Sequence, residues 1–110
     1  MIECAPAREA MTEEWLDSLP YPAFLLNDDR MAVGLIEELT SRGIKVPAEL
    51  QVIGFDNLVD APYFRVPLTT IEVPVLENTR RVLDHILEGQ TLEPNTVNRA
   101  NIIWRKSASM

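Results

Sequence analysis

The chain reads as one α/β unit, a short parallel sheet with flanking helices. Three observations predict the α/β class. Two compact apolar runs, Ala23-Phe24-Leu25-Leu26 and Val52-Ile53, each lead into acidic or amide residues. Between them Ala32, Leu35, Ile36 and Leu39 recur at i, i+3, i+4, i+7, and the pattern stops at Gly43. Strand, helix and strand in that order imply a parallel crossover. Ligands in open parallel sheets bind at the carboxyl ends of the strands, where Asp28, Asp29 and Asp56 fall.

The elements follow in order. Ile2 to Cys4 reads as the end of a strand, and Pro6 suits a first helical turn because its missing N–H is not needed there. Ala7, Met11, Trp15, Leu16 and Leu19 keep helical spacing until Pro20 and Pro22 force an extended backbone. Ala23 to Leu26 is short and wholly apolar, as a buried strand is. In the next helix, Glu38 and Arg42 form an i,i+4 pair on the face opposite the apolar stripe, and Gly43 is a C-cap. Gln51 to Phe55 is the second buried strand. Asp60 to Pro67 is a loop or short helical turn, and Leu68 to Val73 is extended. Pro74 opens a helix with Val75, Leu76, Thr79, Val82, Leu83, Ile86 and Leu87 as its apolar positions, closed by Gly89. A final strand centres on Ile102, Ile103 and Trp104.

Composition bounds the function. A chain of 110 residues buries one small core. Ten Lys and Arg against 17 Asp and Glu leave a formal charge of -7, ill-suited to a phosphate backbone. Cys4 is the only cysteine, which excludes an internal disulfide and fits a reducing compartment. No apolar stretch approaches the ~20 residues of a membrane span, and the first residues lack a signal-peptide pattern. The expected compartment is the cytoplasm.

The three acids admit several chemistries. A carboxylate at a strand end accepts hydrogen bonds from ligand hydroxyls, which suits sugars and ribose. The same oxygens suit Mg²⁺. A carboxylate at a helix start caps free N–H groups, and this is the favoured reading for Asp29, whereas for Asp56 the ligand reading leads. His85 reads as a helix-surface residue, Trp15 and Trp104 as core, and Arg80-Arg81 as a solvated face. Neither a glycine-rich phosphate loop nor a nucleophile–base pair stands out, so no catalytic residue, metal site or cofactor is expected.

Four ordered stretches, Asn27 to Gly34, Gly43 to Asn57, Tyr63 to Ile71 and Arg105 to Ser107, make the chain from Phe24 to Ser107 resemble the C-terminal part of the effector-binding module of LacI/GalR-type transcription regulators, which implies a partial periplasmic-binding-protein-like type I lobe. Asn27-Asp28-Asp29-Arg30-Met31-Ala32-Val33-Gly34 echoes that family's S-N-D-x-M-A-x-G. Gly43-Ile44-Lys45-Val46-Pro47 through Val52-Ile53-Gly54-Phe55-Asp56-Asn57 follows its G-I-x-V-P and V-[IV]-G-[FY]-D-[DN]. Tyr63 to Ile71 follows its Y-x-x-P-P-L-T-T-[IV], and Arg105-Lys106-Ser107 is like its closing R-E-S.

The resemblance implies a ligand-binding set of Asp56, Asp28, Asn27 and Val73 and a small sugar, polyol or nucleoside as effector. Asp28 stands where the family carries asparagine, a change from donor-and-acceptor to acceptor only, which favours hydroxyl or amine donors over anions. Val73 stands where many relatives carry glutamine, leaving that side more apolar. A dimer face is implied at Met31 to Arg42 and Leu58 to Phe64, with Met31, Leu35, Leu39, Leu58 and Tyr63 as its residues; Leu35 and Leu39 also suit the core. The resemblance further implies that a DNA-binding head and most of a first lobe lie outside these 110 residues. DNA would then be met only through that head, and the Pro74 to Gly89 stripe would lack its natural cover and promote self-association. Two other readings remain open: a solute-binding protein for transport, and a Mg²⁺-dependent phospho-receiver or phosphoryl-transfer domain using Asp28, Asp29 and Asp56.

Overall fold

The computed structural model describes residues 23–89 and 99–110. The strand and helix expected within residues 2–19 lie outside these residues.

Four strands form one sheet in the order β1 (Ala23–Leu25), β2 (Gln51–Phe55), β3 (Thr69–Glu72), β4 (Asn101–Ile103). The first three are parallel, pairing Phe24 with Val52 and Ile53 with Thr69. β4, the final strand expected around Ile102, runs antiparallel to β3 with Ile102 opposite Ile71, so an antiparallel edge strand joins the parallel three. Helix α1 (Asp29–Ser41) connects β1 to β2, and α2 (Val75–Leu87) follows β3. Ala61–Tyr63 is a single 3₁₀ turn.

The apolar stripe of α1 makes the core. Ala32, Leu35, Ile36 and Leu39 are buried with Leu26, Leu50, Val52, Ala61 and Leu68. At the C-terminus of α1 Gly43 takes φ +79°. The Ile44 N–H donates to the Leu39 carbonyl and the Gly43 N–H to that of Thr40, at 2.9 and 3.0 Å. These are the two bonds of a Schellman cap, which only a residue tolerant of positive φ closes cheaply. The Glu38–Arg42 pair forms at 3.0 Å.

Leu35 and Leu39 are fully buried against the sheet of one copy. They are core residues, which corrects their expected place on a dimer face: a side chain without exposed surface has none to give to a partner. A second correction concerns β1. It reads as a buried strand, yet only one of its faces is: Phe24 packs against the core and Leu26 is buried, whereas Ala23 and Leu25, which alternate with them, point to the opposite face and are exposed. Helix α2 buries no residue; Val75, Leu76, Leu83, Ile86 and Leu87 are exposed.

The C-terminal turn locks the sheet from below. Ser107 is buried and its Oγ donates to the Val52 carbonyl while accepting the Thr69 N–H at 2.8 Å. The Thr69 hydroxyl donates to the Ala108 carbonyl and accepts the Arg105 N–H, both at 2.8 Å. No helix among the described residues is long and apolar enough to cross a membrane.

Candidate ligand site at the carboxyl ends of the strands

Parallel pairing places the ends of β1, β2 and β3 side by side. The Leu26 N–H donates to the Ile53 carbonyl and the Asp56 N–H to the Ile71 carbonyl, each at 2.8 Å. Asn27 and Asp28 therefore leave β1, Asp56 leaves β2 and Val73 leaves β3 along one edge of the sheet. All four residues expected to bind ligand are gathered there by topology.

Their chemistry differs. Asp28 is the N-cap of α1: its backbone is extended and its Oδ1 accepts the Met31 N–H at 2.8 Å. Capping was expected of Asp29, one residue later. Asp29 lies inside the first turn instead, 0% exposed, and turns its carboxylate under the sheet. Its Oδ1 accepts the Thr70 hydroxyl at 2.5 Å and its Oδ2 the Leu58 N–H at 2.7 Å. Asp29 is thus fully used inside the fold and is not available to a ligand or a metal.

Asp56 is the opposite case. Its side chain is exposed and has no hydrogen-bond partner among the described residues, while its backbone is held in an uncommon conformation. Asp56 and Asn57 have φ of 103° and 54°. Residues in such regions cost of order 1–3 kcal/mol each and persist only where the surroundings hold them; Asn tolerates it best. The surroundings do so here. The Asn57 N–H donates to the Thr70 hydroxyl, its Nδ2 to Glu72 Oε1 at 3.1 Å, and its Oδ1 accepts from Arg105 at 2.9 Å. The other Arg105 nitrogen donates to the Leu68 carbonyl at 2.8 Å.

Gly54 lets α1 approach this closely. A Cβ there would collide with Asp29 Oδ1 and lie 2.8 Å from Leu68 Cδ2. Val73 borders a groove of about 340 Å³ shared with Val75, Asn78, Thr79, Val82 and Leu83, a mainly apolar lining. Asn57, Thr70, Glu72 and Arg105 were not singled out in the sequence as site residues. The signal available for them was the L-T-T and R-x-S motifs, whose hydroxyls and guanidinium close the net.

Among the described residues no group of three or more His, Cys, Asp or Glu is placed to hold a metal ion. The magnesium reading drew on Asp28, Asp29 and Asp56, and the buried Asp29 carboxylate is taken up by Thr70 and Leu58.

An exposed acceptor on a clamped turn lies at the carboxyl edge of the parallel strands, the edge at which open α/β sheets meet their ligands. The chain belongs to the periplasmic binding protein-like domain family, which it matches over residues 2–108, in the form carried by LacI/GalR-type regulators. The HTH-type transcriptional repressor PurR of Vibrio cholerae is 38% identical over 73 residues, 66% of this chain and 21% of that protein. The HTH-type transcriptional regulator AscG of Escherichia coli is 31% identical over 90 residues, 79% of this chain and 27% of that protein. The chain therefore spans about a fifth to a quarter of these relatives, 21% and 27%. Among solved structures, a LacI family regulator from Lactobacillus casei with bound glucose superposes with a TM-score of 0.69 at 30% identity, over 86% of this chain and 36% of that one. The lac repressor dimer bound to operator and the anti-inducer ONPF gives 0.70 at 28%, over 84% and 34%.

Proposed function

We propose that this chain is the ligand-sensing part of a LacI/GalR-type transcription regulator, without enzymatic activity, in which Asp56 accepts hydrogen bonds from a small sugar, polyol or nucleoside. The observation that carries the reading is the Asp56 carboxylate, exposed and without a hydrogen-bond partner among the described residues, on a turn held through the Asp56, Asn57 and Leu58 N–H groups and the Asn57 side chain. A prepositioned acceptor loses little freedom when a donor arrives. Asp28 on the neighbouring strand end supplies a second acceptor, and Glu72 a third carboxylate close by, so the site favours hydroxyl and amine donors and repels anions.

In the intact regulator the ligand would shift a balance between two states of the module and so alter operator binding through a separate head. The same reading assigns a two-fold contact to Met31, Leu58 and Tyr63; Tyr63 is 83% and neighbouring Val59 87% exposed, a surface with apolar area to bury.

The test is a thermal melt of the full chain against pentoses, hexoses, polyols, nucleosides and the phosphates of the same sugars. A neutral or amine-bearing compound should raise the midpoint, and its phosphate should not. A phosphorylated sugar that outperforms its parent, or a panel without effect, would overturn the proposal.

A further inference from the structure

Two segments far apart in sequence meet at one buried carboxylate. Asp29 opens α1, Thr70 lies in β3, and both are 0% exposed. The Thr70 hydroxyl donates its proton to Asp29 Oδ1 and uses a lone pair to accept the Asn57 N–H at 3.2 Å. The second carboxylate oxygen accepts the N–H of Leu58. Two consecutive amides, that of Leu58 directly and that of Asn57 through a hydroxyl, therefore converge on Asp29 from within and just after the positive-φ pair Asp56 and Asn57.

This arrangement is more than core satisfaction. An α/β turn with two consecutive non-glycine residues at positive φ relaxes unless something opposes it. In the observed turn the amides of Asn57 and Leu58 are directed to the Thr70 hydroxyl and the Asp29 carboxylate, and a buried carboxylate is costly when its donors are withdrawn. The penalty for losing the donors thus opposes relaxation of the turn. The Asp56 carboxylate sits at the outer end of the same turn, fixed at its N–H by Ile71.

We infer that Asp29 and Thr70 are positioning residues for the ligand site: through the amides of Asn57 and Leu58 they hold Asp56 in the conformation that presents its carboxylate outward. The inference rests on the proposed role of Asp56 for its functional meaning, but the conformational claim can be decided without any ligand.

The experiment is amide hydrogen exchange, read residue by residue by NMR on the full chain and on Thr70→Val, Thr70→Ser and Asp29→Asn. Thr70→Val keeps the side-chain shape and removes the hydroxyl. Exchange at Asp56 and Leu58, whose own acceptors remain in place, should accelerate about tenfold, the effect of one net hydrogen bond. The Val52 amide, which donates to the Ser107 carbonyl, should keep its protection. Thr70→Ser should restore the slow exchange, and Asp29→Asn should act like Thr70→Val at Leu58. Unchanged exchange at Asp56 and Leu58, or acceleration equal to that at Val52, would overturn the inference, the second because it marks a general loss of stability.

A binding arm separates this result from the proposed function, with glucose, sucrose and Tris as probes on Asp56→Ala and Thr70→Val. Loss of binding in Asp56→Ala but not in Thr70→Val defeats the positioning role alone. Undiminished binding in Asp56→Ala defeats the ligand role of Asp56, whatever the exchange data show. In the double variant Thr70→Val should add nothing to the loss already caused by Asp56→Ala.

Discussion

Replacing Gly54 by alanine tests how α1 is seated. A Cβ at Gly54 would overlap Asp29 Oδ1, approach Leu68 Cδ2 to 2.8 Å and Asp29 Cα to 3.2 Å. Leu68 is fully buried, and the Asp29 Cα belongs to helix backbone, so relief requires α1 to move as a unit. Overpacking of this kind costs about 1–3 kcal/mol. Moving α1 also stretches the Thr70–Asp29 and Leu58–Asp29 bonds, and a hydrogen bond to a charged group is worth about 1.5–3 kcal/mol. The terms overlap because the same displacement feeds both, so about 3–4 kcal/mol is expected in total. That is a large part of a stability near 5–15 kcal/mol. Urea unfolding followed by circular dichroism should show a midpoint lowered by roughly 2 M at an unchanged slope. Gly34→Ala is the control: it lies inside α1 with open space around its Cβ position, and should stabilise by about 0.5–1 kcal/mol. A Gly54→Ala midpoint equal to that of the unaltered chain would refute the close seating of α1 on β2.

Further perturbations separate core, cap, lock and surface. Leu39→Ala should cost about 2–5 kcal/mol in urea unfolding, because Leu39 is fully buried. Leu87→Ser, at a site 82% exposed, should stay within about 0.5 kcal/mol while reducing any concentration-dependent association seen by light scattering. Asp28→Ala removes the α1 cap and should cost about 1 kcal/mol, measured the same way. Ser107→Ala leaves the Thr69 N–H and one bond to the Val52 carbonyl unmet, and should cost about 2 kcal/mol.

Much of the fold was legible because it rests on periodicity. The α1 stripe, its Gly43 stop and the strand at Gln51 to Phe55 follow from spacing alone, and all four apolar positions of the stripe are buried. What escaped depends on distances between segments. Asp28 and Asp29 are identical residues, and which one caps α1 is decided by where the chain leaves β1. Leu35 and Leu39 suit both a core and an interface by pattern; only the position of β2 chooses. The apolar character of β1 is suited to a cover that the described residues do not supply. Ser107, Thr69 and Arg105 stand in recognisable motifs, but the motifs assign them no role; that arises when the C-terminal turn returns to β2 and β3. The site itself was half legible. Its edge and Asp56 came from strand order and motif, whereas the clamp on Asp56 needed three separate elements to meet at Asn57.

The most direct measurement is a calorimetric titration of the compound that most raises the melting midpoint, on the unaltered chain and on Asp56→Ala. The Asp56 side chain is exposed and makes no hydrogen bond among the described residues, so its removal should leave the unfolding midpoint nearly unchanged. Affinity should fall at least about tenfold, the loss of a charge-assisted hydrogen bond. Equal affinity in the two chains would contradict the assignment of Asp56 as the ligand acceptor.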